Sequence, residues 1–345
     1  MNILAIDTSC DETAVAVTNG RRILSNIIYS QVLLHQKWGG VVPSLAKRAH
    51  EERIDGIVNL AIRKSRVRWE RIDVIAVTQG PGLAIALEVG IGKAKELAAK
   101  YNKPLLGVNH LEGHLYSVFA QNSNYKPERN ILFPYLAMII SGGHTEFILW
   151  KNHSEYEVLG GTLDDAAGEA LDKAGKLLGL GYPAGAVIER LAETVHHNDP
   201  YKFPRPMLYS KDLNFSFSGL KTSFYYFLKK ISVKEKNNNI ELLASSFQEA
   251  VFDTIIYKAE QAIKKTGVTH LIISGGVSAN LYLRKRFRTL VKSHVGTVFF
   301  PTIKTLTGDN AAMIGIAAWK RGEQHLFSRN DFDREPRMKI ISSCK

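Results

Sequence analysis

The sequence predicts an α/β fold in which one scheme is used twice. Two observations carry this. Short β-branched runs alternate with stretches of helical periodicity along most of the chain, as expected for helices packed on mixed sheets. One five-residue string also occurs twice. Ile139-Ile140-Ser141-Gly142-Gly143 closes one apolar run, and Ile272-Ile273-Ser274-Gly275-Gly276 closes another. Each reads as a buried strand ending in a tight glycine turn. Such a turn leaves backbone N–H groups bare, a geometry that suits phosphate. Two copies in one chain point to a duplicated fold that closes around a nucleotide.

Length and composition set the frame. A chain of 345 residues has room for two domains. Its 45% hydrophobic and 23% charged residues are those of a globular, water-soluble protein. The segment Met1-Asn2-Ile3-Leu4-Ala5-Ile6-Asp7 reads as a first strand, not a signal peptide, and no apolar run reaches the length of a membrane span. Cys10 and Cys344 make neither a disulfide framework nor a CxxC site, so a cytoplasmic location is expected. The 45 Lys and Arg against 33 Asp and Glu leave a formal charge of +12. The excess clusters at Arg63, Lys64, Arg66, Arg68 and Arg71, at Lys229, Lys230, Lys234 and Lys236, and at Arg284, Lys285, Arg286 and Arg288. A solvated basic surface and an RNA-binding one both fit.

The elements follow in order. Residues 3–6 and 14–17 are strands with a turn between them. Residues 44–64 form a helix, with Leu45, Ala49, Ile57, Leu60 and Ala61 at helical spacing. A strand at 74–77 ends at Gln79-Gly80-Pro81-Gly82, and a long helix over 83–101 leads to a strand at 105–108. The polar stretch 126–134, with two prolines, is the best linker. Strands at 135–140 and 145–150 flank a glycine turn. Helices are expected over 164–178 and 241–265, a strand over 271–274, and helices over 280–292 and 309–321. Residues 229–239 are charged and Asn-rich and read as an exposed loop.

Several motifs carry chemistry. Asp7-Thr8-Ser9-Cys10-Asp11-Glu12-Thr13 crowds three acids into the turn after the first strand. Asp, Ser and Thr favour turns, but mutually repelling carboxylates are best tolerated beside a cation or a donor-rich ligand. His110 and His114 are spaced i, i+4 on one helix face, so both imidazoles can reach one metal. Glu112 points away from that face, unlike the acid of a zincin. Two unrelated histidines remain the alternative. Asp309 stands where a helix N-cap is wanted; as a third ligand it completes a His, His, Asp set with open positions. Asp164 and Asp165 open a helix and complement its dipole, and Asp172, Lys173 and Gly185 follow. Ser274-Gly275-Gly276-Val277-Ser278-Ala279-Asn280 leads from a strand into a helix, a mechanism for anion binding. The stretch 214–222 alternates polar and aromatic residues like a half-buried strand, with base stacking on Phe as the second reading.

Taken together, seven motifs in order resemble the TsaD-type tRNA threonylcarbamoyltransferases, once described as O-sialoglycoprotein endopeptidases. They are 7–13, His110-x3-His114, Ser141-Gly142-Gly143-His144-Thr145, Asp164-Asp165-Ala166-Ala167-Gly168-Glu169, 214–222, 274–280 and Asp309-Asn310. The likeness runs from about residue 3 to residue 320. It implies the actin-like, sugar kinase and Hsp70 ATPase fold, with two ribonuclease-H-like lobes around a nucleotide cleft. The lobes are expected over 1–127 and 128–308, with 309–322 packing back near the first and 323–345 as a tail. The resemblance implies transfer of a threonylcarbamoyl group from threonylcarbamoyl-AMP to the N6 amine of adenosine 37 in tRNAs reading codons that begin with A. His110, His114 and Asp309 are then the metal ligands, for Fe2+ with Zn2+ as a substitute. Ile139, Ile140, Ser141, Gly142, Gly143, Asp172, Gly185, Glu189, Gly275 and Asn280 bind the adenylate, and Asp11 and Glu12 serve the reacting end.

The chain departs from the family pattern in places. Family members carry Glu and Ser where this chain has Ser44 and Lys47, Val-Gly-Ala where it has Ala84-Ile85-Ala86, and often Asp in place of Glu189. The first two changes fall on the helices with which bacterial members meet a TsaB-like paralogue. Expected partners are therefore tRNA, a TsaB-like paralogue, a TsaE-like ATPase or a second copy of this chain, and no membrane. Two rival readings are a metallopeptidase, which the offset of Glu112 disfavours, and a magnesium-ATP-dependent ATPase of the same fold, which needs no His-x3-His pair.

Overall fold

The computed structural model describes residues 1–328 and 331–340; Cys344 lies outside them. The strands are β1 (Asn2–Asp7), β2 (Glu12–Asn19), β3 (Arg22–Ser30), β4 (Val74–Gly80), β5 (Leu105–Asn109), β6 (Tyr135–Ile140), β7 (Thr145–Asn152), β8 (Glu155–Gly161), β9 (His270–Ser274) and β10 (Thr297–Phe299). The α-helices are α1 (Val32–Gln36), α2 (Pro43–Ser65), α3 (Ala84–Tyr101), α4 (His110–Tyr116), α5 (Ala167–Leu178), α6 (Gly185–Thr194), α7 (Ser218–Lys230), α8 (Val233–Asn238), α9 (Ile240–Thr266), α10 (Leu281–Ser293) and α11 (Ala311–Glu323). They divide into two compact units. The first holds Met1–Leu132, Asn152–Glu155 and Pro301–Lys345; the second holds Phe133–Lys151 and Tyr156–Phe300.

In the first unit the sheet order is β3-β2-β1-β4-β5. β1 pairs antiparallel with β2 and parallel with β4, and β4 pairs parallel with β5. β1 is buried from Ile3 to Asp7 on both faces, which explains its unbroken apolar run. One face packs on α2 and α3 through Leu4, Ile6, Val15, Val17, Ile54, Val58, Ile91 and Leu97. The other meets α11, where a Cβ on Gly315 would sit 2.7 Å from Thr18 Oγ1.

In the second unit the order is β10-β9-β6-β7-β8. β6 pairs antiparallel with β7 and parallel with β9. Strand for strand this repeats the first sheet, with β6 in the place of β1 and β9 in the place of β4. Its core is rich in aromatics, with Phe147, Phe203, Phe215, Phe217, Phe224 and Phe247 gathered around α9.

The duplication is therefore real, but the repeated Ile-Ile-Ser-Gly-Gly string does not mark it. Both copies lie in the second unit, on neighbouring parallel strands, with Ile139 paired to Ser274. Parallel strands end at the same edge, so the two glycine turns stand side by side. Other expectations shift for local reasons. Residues 214–217 make only an isolated bridge, Phe215 to Thr162, because both phenylalanines turn into the core. The stretch 229–239 contains α8, capped by the Ser232 side chain. The helix expected from 164 begins at Ala167.

Candidate metal centre and nucleotide turns

In the first unit, β5 delivers the chain to the edge of the sheet and Asn109 turns it into α4. The Asn109 side chain accepts hydrogen bonds from the amides of Leu111 and Glu112. His110 and His114 then project from one face of the helix. Asp309 arrives from the residues before α11. The three ligand atoms lie within 4.8 Å of one another. His110 Nε2 is 3.4 Å and His114 Nε2 3.3 Å from the same atom, Asp309 Oδ1. His114 is fully buried, and neither of its ring nitrogens makes a well-aligned hydrogen bond; His110 Nδ1 and Asp7 Oδ2 are likewise unmatched, 3.8 Å apart.

Buried polar atoms without partners are costly, and two imidazoles converging on one carboxylate oxygen are a donor set for a divalent cation. The electrostatics agree. Burial works against charge on His110, but Asp309 and Asp7 beside it win and hold its pKa at about 9. Burial pushes His114 down instead. Burial works against the ionised form of Asp309 too, but His110 outweighs it and keeps the carboxyl well below its ordinary range. A cation held here would take the place of the His110 proton against the two acids.

Glu112 turns away from this face and pairs with Arg321 of α11 at 3.1 Å. Asp7 is held by the Ser9 amide at 3.1 Å and the Thr78 hydroxyl at 2.8 Å. Burial raises its pKa, opposed by His110. Glu12 accepts from Ser30 Oγ at 3.2 Å. Burial, then the neighbouring Asp11, pushes its carboxyl well above the usual range.

His50 was not legible as a site residue, because the helical spacing over 44–64 rests on Leu45, Ala49, Ile57, Leu60 and Ala61. In the structure the buried stripe of α2 is Ala46, Ala49, His50, Ile54, Val58 and Ala61. His50 Nε2 donates to the Cys10 carbonyl at 3.0 Å, and Nδ1 accepts from the Thr13 hydroxyl at 2.8 Å. Burial lowers its pKa, which fits this neutral form. It pins the loop that carries Asp11.

In the second unit, Ile139 and Ile140 are fully buried at the end of β6. Gly142 and Gly143 are exposed, and an added Cβ would meet nothing within 4 Å at either. Gly275 differs. Its φ is +87°, and a Cβ there would sit 2.5 Å from the Ile140 carbonyl oxygen. Asp172 on α5 accepts from the amides of Ala184 and Gly185 at 2.8 and 3.2 Å, fixing the start of α6. One turn on, Glu189 accepts from the Leu281 amide at 2.6 Å. Asn280 caps α10 through the Leu283 amide and donates to Gln248 at 3.1 Å. Asp172, Gly185, Glu189 and Asn280 thus form one linked group, tied through α6 to the start of α10. Asp164 does not serve the helix that follows it. It accepts from the amides of Phe217 and Ser218 and from the hydroxyls of Ser216 and Ser218, fastening the start of α7.

The profile of the family described as TsaD, tRNA N6-adenosine threonylcarbamoyltransferase, matches residues 22–316. A protein of that description from Thermosipho africanus (strain TCF52B) is 43% identical over 340 residues, spanning 99% of this chain and all of the relative. One from Bacillus subtilis (strain 168) is 42% identical over 344 residues, covering 99% and 96%. Among solved structures, HypF from T. kodakarensis is 16% identical with a TM-score of 0.57, over 94% of this chain and 48% of that one. Component A of (R)-2-hydroxyglutaryl-CoA dehydratase from Acidaminococcus fermentans is 11% identical with a TM-score of 0.51, over 94% and 99%. These likenesses speak to fold alone, and they place the chain in the expected actin-like, sugar kinase and Hsp70 ATPase class.

Proposed function

Because the chain belongs to the TsaD family of tRNA N6-adenosine threonylcarbamoyltransferases, we propose that it moves a threonylcarbamoyl group from threonylcarbamoyl-AMP to N6 of adenosine 37 in tRNA. The observation that carries the site assignment is the pair of imidazoles facing one oxygen of Asp309. His110, His114 and Asp309 hold one divalent cation per chain, Fe2+ in the working enzyme and Zn2+ as a substitute. When bound, that cation supplies Lewis acidity toward an oxygen of the donor.

The chain's own residues do the rest. The donor is a mixed carbamic–phosphoric anhydride, so AMP is a good leaving group. The acceptor is an aromatic amine and a poor nucleophile. Its proton has to go to a base, and Asp11 and Glu12 are assigned that role. The raised pKa of Glu12 moves it toward the range where a carboxylate works near neutrality. His50 keeps the loop in place through Cys10. For the adenylate, the exposed amides of Ser141-Gly142-Gly143 and the turn at Gly275 receive the phosphate. The group of Asp172, Gly185, Glu189 and Asn280 receives the nucleoside, and Ile139 and Ile140 support the turn from beneath.

We assign the working enzyme to the cytoplasm; no helix among the described residues is long and apolar enough to cross a membrane. The partners proposed are a TsaB-like paralogue or a second copy of this chain on α2 and α3, and a TsaE-like ATPase. α2 and α3 pack together, and Lys47 lies within 4 Å of Glu51 and Glu88. Light scattering of the chain alone and with the paralogue tests this surface. The peptidase reading loses support, since Glu112 is committed to Arg321.

The activity is tested by nucleoside analysis of tRNA. The reaction contains threonine, bicarbonate, ATP and the adenylate-making enzyme, with and without this chain. Modified adenosine that appears only with the chain, and disappears after a chelator, supports the proposal. Equal modification without the chain refutes it.

A further inference from the structure

α7 carries two faces of different character. Leu220 and Phe224 are fully buried, and Phe227 packs against the same core. On the other side Tyr225 and Tyr226 are 39% and 57% exposed, an unusual place for two adjacent large aromatics. Lys229 and Lys230 complete the exposed side one turn later, and Lys234 of α8 is exposed just beyond. Between residues 221 and 239 the chain has five lysines, at 221, 229, 230, 234 and 236, and one acid, Glu235. Among the described residues no ion pair neutralises Lys229, Lys230, Lys234 or Lys236. Lys229 Nζ instead lies 4.6 Å from the centre of the Tyr225 ring. Tyr226 stands edge-on to Tyr225, with ring centres 5.4 Å apart.

The start of α7 is anchored and linked through the chain to the Ser141-Gly142-Gly143 turn. Asp164 fastens it with four hydrogen bonds, and Lys221 binds Asp165 at 2.9 Å. The same segment leads into α5, whose Gly168 amide donates to the Ser141 carbonyl at 3.1 Å. From that anchor α7 runs for about 20 Å at ~1.5 Å per residue.

We propose that the exposed stripe of Tyr225, Tyr226, Lys229 and Lys230, continued by Lys234, is an RNA-docking surface that guides an unpaired or loop segment of the acceptor tRNA. This rests on the transferase reading above. Stacking on tyrosine is indifferent to sequence, since every base has a π-face, and lysines track the phosphates. The two exposed rings argue for nucleic acid over a merely acidic protein, which needs the lysines but no aromatic platform. Lys229 covers Tyr225, which leaves Tyr226 as the principal stacking ring.

The test is fluorescence anisotropy of labelled tRNA, without donor, across a salt series. Tyr226→Ala should weaken binding about tenfold at every salt concentration. The K229Q/K230Q pair should weaken it most at low salt and flatten the slope of log K against log salt by about 1.4, for two phosphates at ~0.7 each. Calorimetry with AMP should give wild-type affinity for each variant, which excludes misfolding as the cause. Wild-type tRNA affinity and salt slope in both variants would overturn the surface. Loss with an accompanying loss of AMP binding and of the circular dichroism spectrum would also overturn it, since the stripe would then be structural. The parent reading fails separately: a wild-type chain that binds tRNA through these residues but transfers nothing to it keeps the surface and loses the activity.

Discussion

Asn310 Oδ1 accepts a hydrogen bond from the Met313 amide at 3.1 Å, so the last helix is capped without Asp309. Capping was the alternative reading of Asp309, and the neighbour takes that duty. The two residues should therefore separate in experiment. Asp309→Asn should abolish stoichiometric metal and also lower the melting temperature of the metal-free chain, since it removes the acid that holds the His110 charge. Asn310→Ala should cost about 1 kcal/mol of stability, as lost caps do. Elemental analysis and thermal melts read both. Full metal in the Asp309 variant would remove it from the ligand set.

Asp11 and Glu12 give a second separation. D11N and E12Q should each reduce transfer to tRNA by at least ~100-fold, in the range of general base catalysis. Affinity for AMP should not change. Glu12 is held unfavourably, by burial first and then by Asp11, so E12Q should melt at or above the wild-type temperature. Single-turnover assays beside calorimetry decide the matter. Wild-type transfer in both variants would return these acids to the turn.

The two glycines of the second turn predict opposite outcomes. Gly275 has φ +87° and backbone 2.5 Å from where its Cβ would be. G275A should cost about 1–3 kcal/mol through strain. Gly276 has open space around it, so G276A should fold normally and weaken AMP binding instead. Urea titration of both, with calorimetry of the second, tests the pair. Equal stability would show that the close approach to Ile140 is relieved by movement.

Glu249 gives a pH test. Burial raises its pKa to about 7, although Arg286 at 3.2 Å and the Tyr282 hydroxyl favour the ionised form and Asp253 and Asp199 oppose it. The folded chain holds this proton more tightly than the unfolded one, whose value is near 4.5. Its contribution to stability is thus complete below 4.5 and is lost as the pH rises through 7. E249Q lacks the loss. Its stability relative to wild type should rise between pH 5 and pH 8. Parallel pH profiles would refute the assignment.

Buried strands were legible, the edge strand β5 among them, and the half-exposed edges β3 and β8 were not. β6 and β9 are buried on both faces and show as apolar runs. β3 and β8 lie at sheet edges, mix buried and exposed positions, and carry Asn, Ser, Glu and Gly, which strand propensity disfavours. The alternation at 214–217 imitates a strand, but Phe215 and Phe217 are plugs in a core. For the site, local spacing exposed His110 and His114, because i, i+4 is a helical fact. It could not show which distant acid reaches them, nor that Asp164 serves a helix fifty residues away. Those are matters of tertiary contact.

The first unit is assembled from both ends of the chain, and this sets an order for biosynthesis. β1 to β5, with both histidines, leave the ribosome early. α11, which covers one face of that sheet, and Asp309, which faces the histidines, emerge only after the whole second unit has been made. A nascent chain stopped at residue 300 has two imidazoles and lacks the carboxylate that completes the set. If the three residues hold a cation as proposed, a chain stopped before Asp309 lacks the full ligand set, and loading would have to wait for the last segment.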